Sequence, residues 1–224
     1  MQARARAVWR DNGLSIVLIG LFLIFVGGQL AMGFAAHNDE RVEHGLAKLS
    51  LSQYVVSGDF IEATFENWES EFLQMGLFVL LTVKLRQKGS SESKPVDEPH
   101  ESDEDPTSHR HDRGAPWPVR RGGVALRIYR HSLSTAFFVL FAFSFVMHAL
   151  GGARKQNAEH LAHGRPTETL FEYLGSSQFW FESFQNWQSE FLAVAMIVVL
   201  SIFLRQYGSP QSKPVAAPHR ETGG

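Results

Sequence analysis

The polar side chains best placed to do chemistry fall in two copies of one short stretch. Phe65-Glu66-Asn67-Trp68-Glu69-Ser70-Glu71-Phe72-Leu73 recurs as Phe184-Gln185-Asn186-Trp187-Gln188-Ser189-Glu190-Phe191-Leu192. On a helix turning about 100° per residue, Thr64, Asn67, Ser70, Glu71 and Gln74 share one stripe. Ser183, Asn186, Ser189 and Glu190 repeat it in the second copy. If the two stripes face each other, Asn67, Ser70, Glu71, Asn186, Ser189 and Glu190 would border a polar funnel. Its carboxylates would hold a cation or relay a proton, because ionisable groups next to hydrocarbon are costly and often mark such paths. A plainer reading keeps the carboxylates at the membrane interface, where they and the Asn and Ser groups hydrogen-bond to a neighbouring helix for about 1 kcal/mol each. The apolar run after each carboxylate is short, which favours the interface over the midplane.

A second set of candidates lies in polar loops. Asn38, Glu40, His44 and Gly45 recur as Asn157, Glu159, His163 and Gly164, and His160 with His163 has the spacing of a helical metal pair. The first copy carries Arg41 where the second has His160, so the pair is not duplicated. Solvated loop histidines are the commoner outcome, and no metal or cofactor is assigned. The chain has no cysteine, which excludes disulfides, thiolate zinc sites and cysteine nucleophiles. It also lacks a phosphate-cradling glycine loop, a nucleophile elbow and a His-Glu-x-x-His motif, so no catalytic residue is assigned and an enzyme is not expected.

The elements that must carry these groups are apolar and duplicated. Asn12 to Val96 aligns without a gap on His131 to Val215. Leu14 to Ala36 and Ser132 to Ala153 are long and uncharged until their ends, enough to cross a hydrocarbon core of roughly 30 Å. Phe72 to Leu85 and Phe191 to Leu204 are shorter, but Phe60, Phe65 and Trp68, with Phe179, Phe184 and Trp187, extend the helical spacing upstream. Those helices are expected to start near Ser57 and Ser176. A short capped amphipathic helix ended by Gly175 is expected over Thr167 to Leu174, with its copy at Lys48 to Val56.

The fold class that follows is all-α: an integral membrane protein of four transmembrane helices, built as two tandem two-helix repeats. Residues 1–88 form the first hairpin, 89–123 a linker, 124–208 the second hairpin and 209–224 a tail. The linker is rich in proline, serine and acidic residues and cannot bury a core, so disorder is expected. Arg4, Arg6 and Arg10, then Lys84, Arg86 and Lys88, then Arg120, Arg121, Arg127 and Arg130, flank the spans on one side. That bias places both termini and the linker in the cytoplasm. A cleavable signal peptide competes for the first span, but its counterpart lies in mid-chain. On the first span, Gly20, Gly27, Gly28 and Ala31 allow close helix approach, whereas the third has Val139, Val146, Met147 and Leu150 there.

With a formal net charge of −2 over 224 residues, the near-neutral balance argues against a nucleic-acid binder, which would need a basic face to replace counterions. The layout, the paired Asn-Trp-x-Ser-Glu-Phe elements and the Leu-Arg-Gln ends (Leu85 to Gln87, Leu204 to Gln206) resemble a family of small, uncharacterised bacterial membrane proteins classed as a domain of unknown function. The resemblance covers both repeats and leaves out the linker. It implies a bacterial inner membrane and brings no activity, cofactor or site residue. The leading expectation is a non-enzymatic structural or interaction role in the envelope, with the lipid bilayer, a second copy or another envelope protein as partner. One alternative is a small cation or proton transporter using Glu71 and Glu190. The other is a periplasmic metal sensor using His44, His160 and His163.

Overall fold

The computed structural model describes residues 2–223, and among them every regular element is helical. In chain order these are α1 (Gln2–Glu43), α2 (Leu51–Val55), α3 (Gly58–Lys84), α4 (Trp117–Arg121), α5 (Gly123–Arg130), α6 (Ser132–Ala162), α7 (Leu170–Leu174) and α8 (Ser177–Phe203). Three of them, α1, α6 and α8, are long and apolar enough to cross a membrane. Helix α3 matches α8 in length at 27 residues, but Asp59, Glu62, Glu66, Glu69 and Glu71 crowd its first half. That density of charge keeps α3 out of the same class.

The helix starts agree with the sequence. Ser176 caps α8 by accepting from the Phe179 N–H, and the Ser57 hydroxyl accepts from the Phe60 N–H at the head of α3. Short helices α2 and α7 each begin with a reciprocal capping box, Ser50 with Gln53 and Thr169 with Glu172. In such a box both otherwise orphaned N–H groups of the first turn are satisfied. The Thr169 backbone N–H and hydroxyl both donate to Glu172, and these bonds hold its carboxyl below the usual range.

The chain divides into two compact units, the first formed by Met1–Ala63 with Leu150–Thr167. In it Tyr54 is buried against Phe34, His37 and Phe60 at ring distances of 5.5–5.8 Å. The side chain of Asn38 clamps the backbone of Leu49, donating to its carbonyl at 3.2 Å and accepting from its N–H at 2.7 Å. The start of α3 and the second half of α6 meet at two glycines. A Cβ on Gly58 would fall 2.4 Å from the Lys155 nitrogen, and one on Gly151 2.5 Å from the Glu62 nitrogen. The same crossing lets Lys155 Nζ donate to Glu62 Oε2 at 2.6 Å.

The second unit comprises Thr64–Ala149 and Glu168–Gly224. Segment 89–123, expected to be a disordered tether, is described as turns, two 3-10 helices (Glu101–Asp103 and Pro106–His109) and α4. Its first residues are tied to the end of α8 and to the tail. The hydroxyls of Ser90 and Ser201 lie 3.0 Å apart, the Gly89 N–H donates to Thr222, and the Gly223 N–H donates to the Ser90 carbonyl. Lys213 is buried, and its ammonium donates to the carbonyls of Pro218, His219 and Glu221. Burial, with Arg205 nearby, lowers the lysine from its ordinary value. Composition predicts no core for this region, and none is needed: side-chain-to-backbone hydrogen bonds hold it.

The distribution of side chains is inverted relative to a water-soluble domain. Glu62, Glu69, Ser70, Gln74, Ser144, His148 and Ser183 are buried, while Leu14, Leu18, Leu23, Ile24, Phe25, Val139 and Phe203 face outward. Exposed apolar side chains in such number are stable against lipid or a partner and unfavourable in water.

Candidate functional site

Within the second unit, α3, α6 and α8 each send one ionisable side chain to a common point. Glu69 and His148 are fully buried, at 0% exposure, and Glu182 is half-buried. His148 Nδ1 lies 2.8 Å from Glu69 Oε2, within hydrogen-bond reach. On the opposite edge of the ring, Nε2 is 3.7 Å from Glu182 Oε2 and has no hydrogen-bond partner. Two carboxylates therefore flank one imidazole, one bonded to it and one a small displacement away.

Each acid is held by its own neighbours. The Trp187 indole N–H donates to Glu69 Oε1 at 3.0 Å, so both carboxylate oxygens of Glu69 are engaged. The Tyr173 hydroxyl donates to Glu182 Oε2 at 3.0 Å and the Gln178 amide to Oε1 at 2.6 Å. The buried tyrosine comes from the short helix α7, whose capping box and C-terminal Gly175 set it at the head of α8. Asn186 donates to the Glu66 carboxylate and to the Glu182 backbone carbonyl. The Phe179 ring covers the imidazole at 4.8 Å between centroids, and Phe145 packs edge-on against Phe179 at 5.3 Å. These rings shield one side of the cluster from solvent.

Contacts between α6 and α8 run in opposite chain senses: Phe141 meets Trp187, and His148 meets Phe179. The helices are thus antiparallel here, and the same register sets Ser144 at the level of Ser183. Both hydroxyls are buried and neither has a hydrogen-bond partner. Unpaired buried polar atoms are uncommon, since each costs about 1–3 kcal/mol. Three of them, including His148 Nε2, occur along this one packing seam.

The stripe expected from the sequence is divided by the packing. Ser70 is buried and donates to the Asn67 carbonyl one turn back, and Asn186 joins the acid cluster. Asn67, Glu71 and Ser189 are exposed, Ser189 donating to the Asn186 carbonyl, and Glu190 is half-buried. Glu71 and Glu190 lie near enough for their like charges to repel. The residues that sequence reasoning passed over are Glu69, His148 and Glu182. A signal was present, because His148 is an ionisable residue inside an apolar segment, with Ser144 one turn before it on the same face.

The loop histidines are engaged locally. One ring nitrogen of His44 contacts the Glu40 carbonyl, that of His163 the Glu159 carbonyl and that of His160 the Pro166 carbonyl, all within 3.0 Å. Among the described residues, no three His, Asp or Glu side chains are grouped to hold a metal ion. The apolar groove between α3 and α8, about 380 Å³ and lined by Phe78, Leu81, Phe191 and Val198, carries no comparable chemistry.

No curated protein and no solved structure matches this chain. A match to one family runs over residues 5–224, through the linker that the sequence resemblance left out. The chain belongs to that family, described as a domain of unknown function (DUF6766).

Proposed function

We propose that this protein is an integral membrane protein that moves protons through a buried acid–imidazole–acid relay of Glu69, His148 and Glu182. The observation that carries the reading is His148 itself, fully buried, bonded to one acid through Nδ1 and facing the other through a free Nε2. An imidazole exchanges protons at both nitrogens near neutral pH. In the step proposed, Glu182, once it has taken up a proton, gives it to Nε2 while Nδ1 releases its own to Glu69. Glu69 then passes that proton on, and a ring flip turns the protonated nitrogen back towards Glu69. The gap of 3.7 Å at Nε2 exceeds a hydrogen bond, so transfer waits on a small side-chain rotation. Trp187 and Tyr173 are positioning residues that aim the two acids.

The finer architecture belongs to the same proposal. Helix α3 serves as a further span beside α1, α6 and α8, making four, and the chain is a tandem duplication of two hairpins. Matched local geometry supports the duplication. Arg86 donates to the carbonyls of Thr82, Val83 and Leu85, as Arg205 does to those of Ser201, Ile202 and Leu204. Ser93 accepts from the Gln87 N–H, as Ser212 does from Gln206. The membrane proposed is the bacterial inner membrane that the family resemblance implies, and the arginine and lysine bias supports an orientation with both termini and the linker in the cytoplasm. No chemical transformation is proposed.

The test is proton flux into proteoliposomes under a potassium diffusion potential, read with an entrapped pH dye. His148→Gln is expected to abolish flux while insertion and helix content stay intact, and Glu182→Gln to slow it. A parent protein that passes no protons, or a His148→Gln variant that passes them normally, overturns the relay. A second reading, association through the envelope, is favoured by α1. The apolar window of that helix is unburied, and Cβ atoms on Gly20, Gly27 or Gly28 would meet nothing within 4 Å. Such a face suits close packing against another helix, including that of a second copy. Crosslinking through α1 in native membranes tests it, and a purely monomeric pattern counts against it.

A further inference from the structure

Between the polar linker and α6, the chain forms a basic, apolar foot. Helices α4 and α5 are joined by Gly122 and Gly123, both at positive φ (68° and 58°), which permits the sharp change of direction. Each helix turns a single side chain inward, Val119 from α4 and Leu126 from α5. Large apolar groups face outward instead: Trp117 is 58% exposed, Val124 68% and Ile128 66%. Arg120, Arg121, Arg127 and Arg130 are interleaved with them and equally exposed, and the segment Trp117 to Arg130 contains no acidic residue. The Arg121 guanidinium lies 5.3 Å from the Trp117 ring centroid, so indole and cation are presented together.

We propose that Trp117 to Arg130 lies in the plane of the bilayer surface and binds anionic phospholipid. Val124, Ile128 and the Trp117 ring would enter the acyl boundary, with the four arginines at the phosphates. Two observations select lipid as the occupant. The charge within the segment is of one sign, with Asp105 of the linker near Arg130, and this balance suits an anionic surface. The foot is also tethered at bilayer height, because only His131 separates α5 from the membrane-length helix α6. A short amphipathic helix with arginines around its apolar face is the form that interfacial anchors take. The inference rests on α6 being a span and is independent of the relay.

The 224-residue chain is cysteine-free, so Val124→Cys and Ile128→Cys each accept a single nitroxide label. Labelled protein is placed in bilayer nanodiscs of phosphatidylcholine, with or without phosphatidylglycerol. Collision of the label with oxygen and with a water-soluble nickel chelate is then compared. With phosphatidylglycerol present, both labels should favour oxygen. Changing all four arginines to glutamine should shift them towards the nickel reagent, weakening the anionic-lipid preference by about fivefold per arginine. Labels in water under both lipids overturn the proposal. Equal depth in the two lipids overturns the anionic specificity, and protection from both reagents overturns lipid as the occupant in favour of protein. Loss of proton flux leaves these readings unaffected, so the foot and the relay fail separately.

Discussion

Replacing His148 with leucine should expose how strongly the buried acids depend on the imidazole. In His148→Leu, the Glu69 carboxylate stays buried with the Trp187 N–H as its remaining donor in the cluster. Removing one partner of a buried charged pair costs about 3–5 kcal/mol. Glu69→Leu alone leaves the Trp187 N–H and His148 Nδ1 without an acceptor, at roughly 1–3 kcal/mol for each group. The double variant removes the pair together and orphans the Trp187 N–H, at about 1–3 kcal/mol. At the middle of these ranges the loss in the double variant therefore falls short of the sum of the singles by about 6 kcal/mol, which is the coupling that the geometry predicts. For a chain of this length, 1 kcal/mol moves a melting midpoint by about 2–4 °C. His148→Leu should therefore melt around 10 °C below the parent, and adding Glu69→Leu should recover part of that loss. The assay is thermal unfolding of all four proteins in one detergent at one scan rate. Additive losses, with coupling below about 0.5 kcal/mol, would refute the charge sharing inferred for Glu69 and His148.

Two further outcomes follow from other parts of the fold. Gly151→Ala drives a Cβ to within 2.5 Å of the Glu62 backbone nitrogen and should destabilise by about 1–3 kcal/mol. Gly20→Ala meets nothing within 4 Å and should stabilise by up to ~1 kcal/mol; similar melting shifts for both would contradict the glycine crossing. The linker turns should hold best in mildly acidic solution. Hydrogen bonds to Asp112 and Glu104 raise His109, so its contribution is complete below its unfolded value of about 6.5 and is lost as pH rises through the raised folded value. Lys94 lowers Asp103 by hydrogen bonding, and the Thr107 N–H lowers Asp105. Those contributions are complete above about pH 4 and are lost as pH falls through the depressed values. Amide exchange protection over residues 101–112 should plateau between about pH 4 and 6.5 and fall on both sides. Protection that climbs steadily through neutral pH would rule this out.

Much of the helical framework is legible in the residues because it is written in local chemistry. Ser176 precedes an apolar run and caps it; Thr169 and Glu172 sit three apart and close a box; Leu14 to Ala36 is uncharged for a membrane's width. The buried acid–imidazole cluster is not legible in the likeness between the copies. Glu69 aligns with Gln188, His148 with Gln29 and Glu182 with Ala63, so none of the three has an ionisable counterpart. Likeness between the two copies read from the sequence highlights what both share, and the proposed relay would use residues that they do not share. Asn67 and Glu71, which do recur or are chemically matched, face outward in the packed helix. The ties made by the linker are not legible for a different reason. Its ties are between distant residues, such as Gly89 with Thr222, and contacts of that range leave no periodic trace.

The caged ammonium of Lys213 also bears on how the protein can be handled. Its three acceptors all lie within the last residues, and Thr222 and Gly223 are themselves stitched to Gly89 and Ser90. Clipping that short stretch would strand a cation, loosen the C-terminal ends of α3 and α8 together and uncover Ser201. Shortening this tail is thus an internal cut, whereas a label or fusion on the amino-terminal side leaves the stitching intact.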